Sequence, residues 1–251
     1  VFVVRIRLEA VVLILGLSFV TADVAFAQAP PEPPRPLTAA VSAGLALTSG
    51  NTDTSTIDVG YQLGYDPGTR NRVKSDGLFM RGKTAGELST DNLTLNGRDE
   101  YQLYERAFVF GQMQYLKDRF KEIDYLVSPT AGLGYRFLDT PRTKLSGDAG
   151  LGVLWEKNPG FDVETSGAFS YSEKLTHQLS ATTTLTQSLS GLHKTDDFSD
   201  ALYQFGASVG ATVTTHTQLK VELLDTYKNK PPTAGIVKND VAVLLALVYK
   251  Y

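Results

Sequence analysis

Val241-Ala-Val-Leu-Leu-Ala-Leu-Val-Tyr-Lys-Tyr251 is the stretch on which the reading of the chain turns. Val241, Val243, Leu245, Leu247, Tyr249 and Tyr251 are large and apolar, whereas Ala242, Leu244, Ala246, Val248 and Lys250 are on average smaller and end in a charge. Successive side chains of a strand point to opposite faces, so the segment has one greasy face and one narrower face. A tilted strand crosses a hydrocarbon core in about 9–11 residues. Aromatic residues at the end of such a strand belong at a membrane–water boundary. The same pattern also fits a buried strand of a soluble domain, and the rest of the chain decides between the two.

Upstream, the same period of two recurs in segment after segment, broken by short turn clusters and without helical periodicity. Val41, Ala43, Leu45 and Leu47 alternate with Ala40, Ser42, Gly44 and Ala46 in Ala39–Thr48, which Ser49–Asp53 ends as a Gly-Asn turn. Ile57, Val59, Tyr61, Leu63 and Tyr65 alternate with Asp58, Gly60, Gln62 and Gly64, and Asp66–Asn71 forms a tight turn. Strands near Arg72–Gly82 and Asn92–Leu103 are blurred by Asp76, Arg81, Arg98 and Asp99. Further strands are expected at Arg106–Leu116, Ile123–Phe137, Lys144–Glu156, Val163–Tyr171, Leu179–Leu189, Leu202–Val213 and Leu219–Tyr227. Ser172–Thr176 reads as a turn and Ser190–Asp200 as a long loop. With the last segment this makes about twelve strands, the even number that bacterial barrels use, with short and long connections alternating. The expected fold is an all-β, antiparallel, up-and-down transmembrane β-barrel over residues 37–251. Both ends and the short turns then lie in the periplasm.

Composition agrees. Of 251 residues, 42% are hydrophobic and 20% charged, too polar for a helical membrane bundle but suited to a barrel, where only alternate residues face lipid. A net charge of −3 gives no case for nucleic acid. The N-terminus reads as a signal peptide over residues 1–27: Arg5 and Arg7, an apolar run Ala10–Val20, and Ala25-Phe26-Ala27 before the expected cleavage. Residues 28–36 form a Pro-rich periplasmic tether. There is no Cys, so lipoprotein anchoring, disulfide staples and thiolate metal sites are not expected. Closing the sheet supplies stability instead, because it leaves no edge unpaired.

Gly44-Leu-Ala-Leu-Thr-Ser-Gly-Asn-Thr-Asp-Thr-Ser55, Asp118-Arg-Phe120, Gly132-Leu-Gly-Tyr-Arg-Phe137 and Leu145-Ser-Gly-Asp-Ala-Gly-Leu-Gly152 carry a resemblance to a known family. It is a bacterial outer-membrane β-barrel family of unknown function, the salt-induced outer-membrane proteins. The resemblance covers Leu37 to Tyr251 and implies location in the cell outer membrane, but it supplies no catalytic residues. The terminal Tyr249 and Tyr251 also resemble the C-terminal signal by which outer-membrane proteins are recognised for assembly. The partners expected are therefore outer-membrane lipids, lipopolysaccharide and the barrel-assembly machinery.

Motifs that mimic chemistry have simpler readings. Gly206-Ala-Ser-Val-Gly210 matches G-x-S-x-G in letters, but that motif needs a strand–turn–helix corner and here sits inside an alternating strand. His177, His193 and His216 fall in or beside connections at both ends, which suggests neither a metal site nor a triad base. Gly132-x-Gly134 and Gly150-x-Gly152 precede no helix and so cradle no phosphate; they leave room for larger inward neighbours. No catalytic residue, cofactor or metal is expected. A lipid-modifying, phospholipase-like barrel is the alternative, but His177 and Ser180 have opposite parity. Lys117, Arg119 and Lys121, and Asp196, Asp197 and Asp200, read as solvated loop charges.

The informative polar set is the inward one: Asp58, Asp124, Arg136, Lys144, Asp148, Glu156, Glu164, Lys220 and Glu222. Buried charges must be paired or hydrated. Hydrated, they line a narrow channel whose acidic excess favours cations and small polar solutes. Paired, they cross-link the lumen and leave an envelope or osmotic-stress integrity protein. The sequence points to a non-enzymatic barrel with one of these two interiors.

Overall fold

The computed structural model describes residues 36–49, 54–84, 87–233 and 235–251. The expected signal peptide and nearly all of the Pro-rich segment lie outside the described residues, as does the tip of the Gly-Asn turn. Twelve strands follow one another in the chain: β1 (Leu37–Ser49), β2 (Thr54–Tyr65), β3 (Asn71–Thr84), β4 (Glu87–Gln102), β5 (Ala107–Asp118), β6 (Ile123–Asp139), β7 (Thr143–Lys157), β8 (Glu164–Gln178), β9 (Thr183–Lys194), β10 (Ala201–Thr212), β11 (Thr217–Lys228) and β12 (Asn239–Lys250). Each pairs antiparallel with its neighbours in sequence, and β12 returns to β1 to close the barrel. We call the end bearing the short connections after β2, β4, β6, β8 and β10 the turn end, and the opposite end the loop end.

Parity decides what each strand presents. Leu45 (66% exposed), Leu133 (64%), Leu151 (65%) and Leu245 (53%) all point outward. They belong to a belt of exposed apolar residues that runs right around the barrel, far larger than a soluble surface carries. A membrane is the solvent that such a belt requires. The inward residues of β12 (Ala242, Leu244, Ala246 and Val248) are buried, with Leu78, Met80 and Leu224 packed against the first two. The C-terminal stretch is thus a seam strand with lipid on one face and a small interior cluster on the other.

Two of the expected boundaries are overturned. Ser172–Thr176 is not a turn: β8 runs straight through it to Gln178, and the reversal falls at Leu179–Thr182. There the Leu179 and Ser180 amides donate to the Thr183 carbonyl oxygen, while Ser180 Oγ accepts the Thr182 and Thr183 amides. Ser172, Lys174 and Thr176 are polar because they face the interior cavity, and that composition imitates a loop. β9 correspondingly extends to Lys194, leaving only 195–200 of the expected long loop. The blurred third and fourth segments are full strands of 14 and 16 residues.

Candidate functional site

The interior holds a cavity of about 1080 Å³, lined from Lys250, Lys144 and Asp66 at the turn end to Lys121 and Asp240 towards the loop end. Its shape starts from glycine. A Cβ at Gly134 would lie 2.1 Å from Phe108 Cζ, and one at Gly150 would lie 3.0 Å from Phe110 Cζ. The missing side chains of β6 and β7 therefore admit two phenylalanine rings from β5. Those rings carry guanidinium groups: Arg98 lies 3.9 Å above the Phe110 centroid and Arg136 4.9 Å from that of Phe108. Arg98 then reaches Asp148 (2.8 Å), Gln112 (2.7 Å) and Glu100 (2.9 Å), and Glu100 also takes Lys74 (2.9 Å) and Arg136 (3.7 Å). Five strands, β3 to β7, are cross-linked through this network.

Two bridges cross the interior. Gln114 Nε2 donates to Gln204 Oε1 at 3.1 Å, joining β5 to β10 from opposite sides of the ring. Nearer the loop end, Lys121 reaches from the β5–β6 connection to Asp240 (2.7 Å) and to the Thr226 carbonyl oxygen (3.4 Å). Asp118 prepares this strut by accepting the Phe120 and Lys121 amides, and Glu122 turns the chain with a φ of +54°. Beside it, Glu156 contacts Lys194 (3.1 Å) and Lys228 (3.2 Å), and both lysines also meet Asp200 (2.7 and 2.9 Å). An apolar layer (Leu116, Ile123, Leu126, Leu154, Leu192 and Leu202) packs on the inner wall of the same half of the barrel.

The nine inward charges read from the sequence therefore separate. Arg136 and Asp148 join the turn-end network, Lys220 pairs with Glu222 (2.7 Å), and Glu156 and Glu164 both hold Lys194. Lys144 stands exposed at the turn-end rim, 3.8 Å from Asp139. Asp58 is 1% exposed and tucked over Gly44, whose Cβ would meet its Oδ1 at 2.9 Å. Asp124 does not face the interior. A register shift pairs Leu116 with Leu126 but Asp118 with Ile123, so one added residue of β6 reverses the parity. Ile123 is buried and Asp124 is exposed.

Loop charges needed correction as well. Lys121 is 2% exposed, not solvated, and Asp200 is part of the buried cluster. Burial would raise the Asp200 carboxyl, but Lys228 and Lys194 hold it below the usual carboxylate range. Asp197 is lowered to about 2 by Lys230 and the Ser199 hydroxyl. His177 belongs to β8 and hydrogen-bonds Thr143 Oγ1 (2.8 Å), while Ser180 caps the turn, so the two do not share a strand. His193 belongs to β9, stacked on Phe198 at 4.3 Å. Ser208 is a buried inward residue of β10. Lys74, Arg98, Glu100, Lys174, Lys194 and Lys228 are absent from the sequence-read set, although parity within correctly bounded strands would have found most of them.

The model of a family described as protein of unknown function, DUF481, matches residues 41–251, all but a few residues of the barrel. The chain belongs to the DUF481 family. It is 25% identical over 223 residues to the uncharacterized protein YdiY of Escherichia coli (strain K12), across 88% of this chain and 85% of that protein. Among solved structures, the DUF481 barrel resembles the NanC porin (TM-score 0.57, 9% identity, 84% of this chain and 100% of that one). It also resembles the KdgM porin (TM-score 0.51, 5% identity, 84% and 99%). The COG4313 outer membrane channel from Pseudomonas putida F1 is similar as well (TM-score 0.51, 14% identity, 91% and 100%). At these identities the likeness concerns the fold.

Proposed function

We propose that this chain is an outer-membrane barrel that passes small polar solutes or ions through a narrow, bridged interior. The observation that carries the reading is the cavity of about 1080 Å³, lined by charged and hydroxyl side chains among apolar ones, reaching from the turn-end rim to the Lys121 strut. A plug built only for strength would fill that volume, since empty polar space inside a protein costs unmade hydrogen bonds unless water or solute enters. The turn end then faces the periplasm and the loop end the outside, with Tyr249 and Tyr251 read by the barrel-assembly machinery. The loop end lies against lipopolysaccharide. Kinship of fold with two porins and an outer membrane channel supports passage.

The reading is non-enzymatic. Ser208 lies inside a strand between glycines and faces inward, and His177 is engaged by Thr143, so these two do not form a serine–histidine pair. Planar-bilayer recording of refolded, heat-modifiable protein tests the proposal: discrete conductance steps are expected. Silence from folded protein would leave only a role in envelope integrity. Lipase activity in detergent with Ca²⁺, abolished in Ser208→Ala, would overturn the non-enzymatic reading.

A further inference from the structure

Among the described residues, Lys174 is an inward cation that makes no ion pair. It projects from β8 between Ser146 of β7 and Ser188 of β9, its register partners, and lines the cavity. Along the same wall stand further hydroxyls: Ser172, Thr176, Thr186 and Ser208. Lys74 of β3, Asp76 of β3, Glu100 of β4 and Lys220 of β11 are near enough to act on it electrostatically. Four carboxylates there already have partners. Glu100 holds Lys74 and Arg98, Asp148 holds Arg98, Glu222 holds Lys220, and Asp76 accepts the Asn96 amide at 2.8 Å. Lys174 makes no hydrogen bond or ion pair among the described residues.

A second observation lies on the same strand. Ser170, 6% exposed and lining the cavity, has an Oγ with no hydrogen-bond partner among the described residues. Buried hydroxyls ordinarily find one. With Asp58, which lies beside Lys220 and Glu222, five carboxylates (Asp58, Asp76, Glu100, Asp148 and Glu222) face five cations (Lys74, Arg98, Arg136, Lys174 and Lys220) at this level, so the acidic excess read from the sequence is balanced here.

We propose that Lys174 and the hydroxyl wall of β8 and β9 form a binding site for a small oxyanion, held on the turn-end side of the Gln114–Gln204 bridge. An ammonium group supplies the charge-assisted bond, and serine and threonine hydroxyls donate to the remaining oxygens, as anion recognition requires. The site rests on the interior being accessible to solute, and its test must be separable from conduction.

Inorganic phosphate is the probe, titrated calorimetrically into the refolded full chain in detergent at constant ionic strength. Saturable binding is expected, weakened roughly tenfold or more in Lys174→Gln, as for loss of one charged hydrogen bond. Lys174→Arg should retain it, and Lys144→Gln, at the exposed rim, should bind as the parent does. No saturable binding by the parent, or equal binding by Lys174→Gln, overturns the site. Binding without bilayer conductance would leave the site standing and remove the channel, whereas conductance without binding would do the opposite.

Discussion

A methyl group at position 132 would lie 2.0 Å from the Ala149 carbonyl oxygen and 2.5 Å from Gly150 Cα. Neither neighbour is a flexible side chain that can swing aside, so Gly132→Ala must push β6 from β7. Overpacking of this kind costs typically about 1–3 kcal/mol, and a lower urea midpoint of the refolded barrel in detergent is the expected result. Ionisation gives a second expectation at this scale. A carboxylate held below its unfolded pKa contributes stability that is complete above the unfolded value and lost as pH falls through the folded one. Asp197, lowered to about 2, should therefore stay ionised from pH 7 to below 4, and Asp200, held down by Lys228 and Lys194, should take up its proton below the usual carboxylate range. Carboxyl ¹³C NMR should show the Asp197 resonance flat over that range; an Asp200 midpoint raised above that of an unpaired aspartate would contradict its pairing with Lys194 and Lys228. Single residues were also where the sequence misled. Counting in twos places Asp124 inward, and no pattern of letters announces the one-residue bulge that reverses the count.

Strands were legible where lipid and lumen differ most in polarity. In β2, Ile57 to Tyr65 alternate with Asp58 to Gly64 almost without exception, and the expected limits are close to those observed. β8 was misread at Ser172–Thr176 because its interior face is all hydroxyl and lysine while its outer face carries Glu173, hydrogen-bonded to Gln187 at 3.0 Å. With polar residues on both faces, parity loses its contrast. Cysteine labelling distinguishes strand from turn: Lys174→Cys should react with a water-soluble maleimide in vesicles, whereas Leu175→Cys should be shielded by lipid. Equal labelling of both would restore the turn. At the other end of the domain, the Tyr251 amide donates to the Ala39 carbonyl oxygen at 2.9 Å and Tyr249 packs near His216. Tyr251→Asp, or deletion of Tyr251, should leave the chain degraded in the periplasm, as immunoblots of fractionated cells would reveal; normal heat-modifiable insertion would refute the signal.

For the molecule as a whole, the barrel was legible and the interior was not. An outward belt repeats one simple rule, but which inward groups meet across a ring of twelve strands depends on register, tilt and bulges. Lys121 shows the difference: as a letter it belongs to a charged loop, and in the fold it spans the mouth to Asp240. Lys121→Ala should remove that strut and raise single-channel conductance measurably above the parent's, with the folded fraction checked by heat modifiability. Unchanged conductance would mean that the narrowest point lies elsewhere, with the Gln114–Gln204 bridge the next to alter. The β1–β12 seam has a consequence for biogenesis. Ala40 meets Lys250 across it, two groups separated by nearly the full length of the domain. Ring closure waits on the most distant pairing the domain contains, and such pairings form slowly. Until then the chain carries two sticky, half-satisfied borders through an aqueous compartment. On the proposed route to the outer membrane, escort proteins that cover those borders, and a catalyst that templates the joint, would answer this geometry.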